Sequence, residues 1–115
     1  MKRDMDLIRA ILLEVEKSPS LEGCRIQIPG YSREELYYNA QLAHEGGLIQ
    51  ARFLPGSADF HVLRLTYEGH EFLDAARNDT LWNKAKEIVI KNTGTLTLEA
   101  LKIALSTLVK LAMGA

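Results

Sequence analysis

Through "DMDLIRAILLEVEK", apolar side chains recur at Met5, Ile8, Leu12 and Val15, with Ile11 beside them. The three-four spacing predicts a helix over 4–17 with one buried stripe. Asp4 and Asp6 near its start and Lys17 at its end suit the helix dipole, and Ser18-Pro19-Ser20 stops it. In "CRIQIPGY" the period changes to two. Cys24, Ile26 and Ile28 alternate with Arg25 and Gln27, which predicts a short strand ended by Pro29-Gly30.

Ser32-Arg33-Glu34-Glu35 has the spacing of a capping box. The Ser32 hydroxyl is placed to accept from the N–H of Glu35, and the Glu35 side chain from the N–H of Ser32. The helix it opens carries Leu36, Ala40 and Ala43 on one stripe and Glu34, Tyr38, Gln41 and Glu45 on the other. Gly46 or Gly47 is expected to close it in the left-handed conformation. "LIQARF" and "FHVLRL" read as two strands joined by the turn-forming "LPGSAD". Thr66 then caps a helix that includes Phe72 and Leu73. Asp79-Thr80 starts another, with Leu81, Trp82, Ala85, Ile88 and Val89 apolar, broken at Asn92-Thr93-Gly94. Thr97 caps the last.

This order predicts an α+β, mainly helical fold: a winged helix-turn-helix-like domain with a small β-hairpin wing and additional C-terminal helices. Between Lys17 and Ser32 there is room for a strand and a turn, but not for a further helix. The expected organisation is one domain over 1–115, with a winged-helix core at 1–79 and a helical extension at 80–115.

The run "SREELYYNAQLAHEGGLI" through the hairpin to "VLRLTYEGHEFLDAAR" resembles the half of winged-helix transcription factors that runs from recognition helix through wing to dimer-forming helix. Three stretches, "MKRDMDLIRAILLEVE", "LTYEGHEFLDAARNDTLWNKAK" and "GTLTLEALKIALSTLVKLAMG", together resemble one family of short bacterial, phage and prophage-associated proteins catalogued only as a domain of unknown function. That resemblance implies a winged-helix-like fold and a phage or mobile-element setting. It implies no catalytic residue.

Charge modifies the picture. The formal net charge is −1, so the chain as a whole has no bias toward a polyanion. Segment 18–47, which holds the recognition-helix position, has two basic and four acidic residues. Duplex binding needs cations against phosphates. The candidate DNA contacts are therefore Arg52, His61 and Arg64 on the wing, opposed by Asp59, with Tyr38, Gln41 and Asn39 facing base edges and Lys84 and Lys86 contributing from the next helix. A DNA-binding regulator is one expectation. The other is an adaptor or inhibitor that meets a protein through the acidic face of 32–45, where Tyr37 and Tyr38 supply aromatic surface.

In the tail, Leu98, Leu101, Leu105, Leu108 and Ala112 keep the helical rhythm, and Ile103, Val109 and Leu111 widen the stripe. Burial of each leucine contributes about 1.5–3 kcal/mol. The stripe either folds back, against the helix at 4–17, or forms a homodimer; the dimer is the expectation.

Composition excludes several classes. Apolar residues are 47% and charged residues 25%, as in an ordinary globular domain. The single cysteine, Cys24, has no internal partner and suits a reducing, cytoplasmic setting. The opening has no apolar signal core, and Lys102 and Lys110 interrupt the most apolar stretch, so no membrane segment is expected. No enzyme signature, cofactor or metal site emerges. "HEFLD" lacks the second histidine of a zinc helix, "LPGSAD" lacks the lysine of a phosphate loop, and Cys24 has no base at any telling spacing.

Overall fold

The computed structural model describes residues 1–114. The elements are α1 (Met5–Lys17), α2 (Arg33–Glu45), β1 (Ile49–Phe53), β2 (Phe60–Leu65), α3 (Tyr67–Ala76), α4 (Asp79–Thr93) and α5 (Leu98–Ala112). The class is α+β and mainly helical. The chain divides into two compact units, Met1–His70 and Glu71–Ala115, with the division inside α3.

In the first unit, α1 packs on α2 and β2, and α2 packs on β1. Asp4 caps α1, its side chain accepting from the Leu7 N–H at 3.1 Å. The buried face is wider than the single predicted stripe, because Leu7 joins Met5, Ile8, Ile11, Leu12 and Val15. The start of α1 is tied to α2 by one polar side chain. Asn39, 2% exposed, accepts from the Asp4 N–H at 2.7 Å and donates to the Glu35 carbonyl at 3.0 Å. The capping box of α2 is present in both directions.

The helix closes as its glycine pair requires. Gly46 keeps a right-handed conformation and Gly47 takes φ 78°. The Leu48 N–H then donates to the Ala43 carbonyl at 2.9 Å, and the chain enters β1 at once. β1 and β2 pair antiparallel, Gln50 opposite Arg64 and Ala51 opposite Val62. Leu63 is thus an extra residue on β2, a bulge. It reconciles two demands. Phe60 and Val62 are buried, and so is Leu65, an odd step that strict alternation forbids. At the hairpin tip, Leu54-Pro55-Gly56-Ser57 makes a turn with Gly56 at φ 81° and the Ser57 N–H on the Leu54 carbonyl at 3.4 Å, the chemistry of a type II turn.

The strand expected at Cys24–Ile28 is reduced to one antiparallel bridge, Cys24 with Val62. Its two hydrogen bonds are good, 2.8 and 2.9 Å, and the burial of Ile26 keeps the predicted alternation. The ladder does not extend because the Ile26 carbonyl is taken at 2.6 Å by Arg33 and Pro29 has no N–H to give.

α3 starts where β2 ends. The Thr66 hydroxyl accepts from the Gly69 N–H at 2.9 Å and donates to the Gly47 carbonyl, while the Thr66 N–H donates to the Leu48 carbonyl at 3.0 Å. Gly69 lies so close that a Cβ there would meet the Leu48 oxygen at 2.0 Å.

In the second unit, α4 and α5 pack as a helical pair. Asn78 caps α4, Gly94 closes it at φ 78°, and Thr97 caps α5 as predicted. Trp82, Ala85 and Val89 are buried on α4 and Leu101, Ala104 and Leu105 on α5, with Phe72 edge-on to Trp82 at 6.1 Å. Ile88 is 42% exposed, although the sequence pattern groups it with the apolar face.

Two substitutions test these joints. Gly69→Ala gains helix propensity of about 1 kcal/mol but forces backbone apart, and net destabilisation of about 1–3 kcal/mol is expected in urea unfolding. An unchanged or raised midpoint contradicts the close approach. Asn39→Ala leaves the Asp4 N–H without its partner and is expected to cost about 1–3 kcal/mol. A loss below a few tenths shows that the link is dispensable.

Candidate functional site

Two surface depressions of the first unit bring together four of the candidate residues, Tyr38, Gln41, Arg52 and Arg64. The first is an open groove between α2 and the hairpin tip, of about 450 Å³. Tyr38, Gln41 and Glu34 line it from α2, and Gly56, Ser57 and Ala58 from the tip. An aromatic cluster fixes its geometry. Tyr37 stands edge-on to Phe53 at 5.2 Å and to Phe60 at 6.0 Å, and Phe53 stacks on Phe60 at 5.9 Å. Such pairs add about 0.5–1.5 kcal/mol beyond burial. They hold the tip against α2, and the Tyr37 hydroxyl reaches the Leu54 carbonyl at 3.5 Å. Both tyrosines line the groove, and Tyr37 is the one that also packs on the hairpin aromatics. Asn39, expected to face base edges, is instead the buried link to Asp4.

The field at this end of the unit is negative. Glu34 and Glu45 are exposed on α2. The pKa of the Tyr31 hydroxyl is raised, first by partial burial and then by the charges of Asp4, Asp6 and Glu35. Two of the nearby cations are already engaged. Asp59 pairs with Arg25 at 3.1 Å and with Arg33 at 3.5 Å. Arg33 also caps the Ile26 carbonyl and lies over the Phe60 ring at 4.8 Å. Asp59 therefore pairs with two arginines, one carboxylate between two cations, rather than merely opposing the wing.

The second depression, of about 660 Å³, runs along the outward face of the hairpin. Gln50, Arg52 and Arg64 form one side and His70 adds to it from α3; Glu16, Ser18, Ser20 and Glu22 come from the end of α1 and the loop after it. Val15, Leu63 and Leu65 contribute apolar floor. Arg52 and Arg64 are exposed. Arg64 donates once to the Leu65 carbonyl at 2.9 Å, leaving the rest of its guanidinium free to bind. His61 is not in this cleft. Its Nε2 donates to the Glu22 carbonyl at 2.6 Å, which ties the loop to β2. Gly23 makes that tie sterically feasible, since a Cβ there would meet the Val62 oxygen at 2.3 Å.

His44, in the last turn of α2, accepts from the Ala51 N–H through Nδ1 at 3.2 Å and sits edge-on to Phe53 at 5.7 Å. It braces β1 structurally. Lys84 and Lys86 lie on α4, in the second unit, with Lys86 over the Trp82 ring at 5.8 Å. Of the expected dimer stripe, Leu101 and Leu105 are buried within the chain on the side that packs with α4, and Leu98 and Leu108 are half-buried. Ala112 is exposed, as are Ile103 and Leu111, expected to widen the buried stripe. The accessible remainder of the stripe is Ala112 with the partly covered Leu98 and Leu108. Among the described residues, no three His, Cys, Asp or Glu side chains cluster as metal ligands, and no helix is long and apolar enough to cross a membrane.

The signals missed in the sequence were long-range. The bulge that turns Arg64 outward is readable only once both strands are paired. The pairing of Arg25 and Arg33 with Asp59 spans 34 and 26 residues.

The chain belongs to the family described as "Hypothetical protein (DUF2513)", whose model matches residues 2–95. It is 34% identical over 113 residues to an uncharacterized protein of Haemophilus influenzae, covering 95% of this chain and 96% of that one. No solved structure matches. α5 lies beyond the family match.

The pKa of the Asp59 carboxyl is lowered, chiefly by the hydrogen bond from Arg25, helped by the Arg25 charge, the Phe60 N–H and the Arg33 charge. A group lowered in the folded state stabilises above its unfolded value, about 3.9, and loses that contribution as pH falls through the folded value. Thermal melts of the native chain and Asp59→Asn are expected to differ at neutral pH and to converge below about pH 4. A gap independent of pH excludes the ion pairs as its source.

Proposed function

We propose that the chain is a non-enzymatic binding module on a winged-helix-like unit, and that its partner is a protein met through α2 and the hairpin tip. One observation carries the choice of partner: the groove where a recognition helix would meet DNA has a single charged side chain, and it is the carboxylate Glu34. A phosphate backbone approaching it meets Glu34 and no lysine or arginine lining the groove, while Arg25 and Arg33 are paired with Asp59. Counterion release, the main source of duplex affinity, has little to work with there. Tyr38 and Gln41 beside a rigid aromatic support are the side chains of a protein-recognition groove. The winged-helix assignment rests on the order helix, bridge, helix, hairpin, helix, and on the Cys24 bridge to β2 standing where a third wing strand would pair. A cytoplasmic location and a phage or mobile-element setting belong to the same reading.

The exposed Arg52 and Arg64 favour a second reading, in which duplex DNA lies along the hairpin. A titration of the protein onto a labelled mixed-sequence duplex by fluorescence anisotropy, at low and moderate salt, separates the two. The expected result is no saturable binding at low salt. Binding that weakens steeply with salt, and that Arg52→Glu with Arg64→Glu removes, overturns the protein reading in favour of DNA.

A further inference from the structure

We infer that the outward cleft of the hairpin is a second recognition site, built for an extended peptide segment with acidic side chains on one edge and basic or polar ones on the other. The inference shares with the proposed function only the premise of a protein partner; it uses a different surface.

The bulge is the starting point. Strict alternation from Phe60 would turn position 64 toward the core, together with 60 and 62. The extra residue Leu63 instead lets Val62 and Leu65 both stay buried while Arg64 emerges opposite Gln50, on the face that carries Arg52. Bulges lose ladder pairing and recur where a side chain has to be re-aimed. Here the result is two arginines on one face at a diagonal of the ladder, a spacing of about 7–8 Å. Alternate side chains of an extended chain lie about 6.6 Å apart, so two acidic residues at i and i+2 match the pair. Arginine forks suit carboxylates.

The other side of the cleft has the opposite sign. Glu22 lines it from the loop, with the hydroxyls of Ser18 and Ser20 beside it. Gly23 and the His61 hydrogen bond hold that loop against β2, so the two sides are fixed with respect to each other. A cleft basic along one wall and acidic along the other disfavours a continuous polyanion, whose charge would run past the carboxylate. A peptide whose faces alternate in charge satisfies both walls, with an apolar residue on Leu63 and Leu65. The volume of about 660 Å³ lies in the range of ligand pockets.

The test uses the full chain on an array of immobilised ten-residue peptides, in which two acidic, two basic and apolar residues are permuted through all positions. The expected result is retention of peptides with acidic residues at i and i+2 and basic residues at intervening positions. For the best of these, labelled and measured in solution, Arg52→Glu with Arg64→Glu lowers affinity about tenfold or more. Glu22→Lys shifts the array preference from basic to acidic residues at the intervening positions. Both sites are exposed, and unchanged thermal melts establish that each variant folds. No retention anywhere on the array, or a pattern unaltered by the arginine changes, overturns the inference while leaving the α2 groove untouched. A duplex bound through the same arginines overturns both.

Discussion

Thr66 and the Gly47–Leu48 peptide meet where α2, both strands and α3 converge. The Thr66 hydroxyl spans the Gly47 carbonyl and the Gly69 N–H, and the Thr66 backbone closes onto Leu48. One threonine thereby caps α3, satisfies a carbonyl left over by α2 and shuts the open end of the hairpin. The constraint explains why the chain uses glycine at two nearby places. Gly47 is needed for its positive φ. Gly69 is needed because a helix passes within van der Waals contact of a carbonyl, where no Cβ fits. Gly46 marks the last turn. If this joint loosened, the hairpin could pivot on α2, and neither the groove at its tip nor the cleft on its outer face would keep its shape.

The other end of the hairpin is held by different physics. Aromatic faces, Tyr37 on Phe53 and Phe60, replace hydrogen bonds. Arg33 closes the cluster, stacking on Phe60 while its guanidinium reaches Asp59 and the Ile26 carbonyl. That arrangement uses a cation structurally that the sequence offers as a surface charge. The same is true of His61, which fastens the 18–24 loop, and of His44, which satisfies Ala51. Polar residues that look like chemistry in the sequence are, in these three cases, fasteners for a small sheet with too few strands to hold itself.

This difference also marks what was legible beforehand. Helix ends written in three- or four-residue codes were readable: the Ser32–Glu35 box, the Thr66 and Thr97 caps, and the glycine closures. Their partners are neighbours in sequence, so local spacing determines them. The hairpin was readable because its turn residues lie between two apolar runs. The strand at Cys24 was overread because alternation reports which side chains are buried and not whether a backbone partner is free; Arg33 had taken the Ile26 carbonyl. The role of Asn39 was unreadable, since its partner Asp4 is 35 residues away. The apolar tail was legible as a stripe, yet spacing alone does not say which leucines the neighbouring helix covers. Leu101 and Leu105 turned out to be spent within the chain. Of the candidate contacts, Arg52 and Arg64 were correctly seen as surface residues, but their convergence on one cleft depends on a bulge that no single-strand pattern reveals.

The division of charge bears on what such a unit can recognise. The first unit has eight Lys or Arg against ten Asp or Glu. With so little excess, the outcome depends on which charges are already paired. Asp59 engages Arg25 and Arg33, while Glu34 lines the groove. On the outer face, Arg52 and Arg64 stand across from Glu22. A duplex presents one sign of charge everywhere, so it gains on one wall and loses on the other. A polypeptide presents both signs at a period that the strand itself sets, and it can place each against its complement. The same short hairpin, braced at both ends, is therefore better matched to reading side chains than to tracking phosphates.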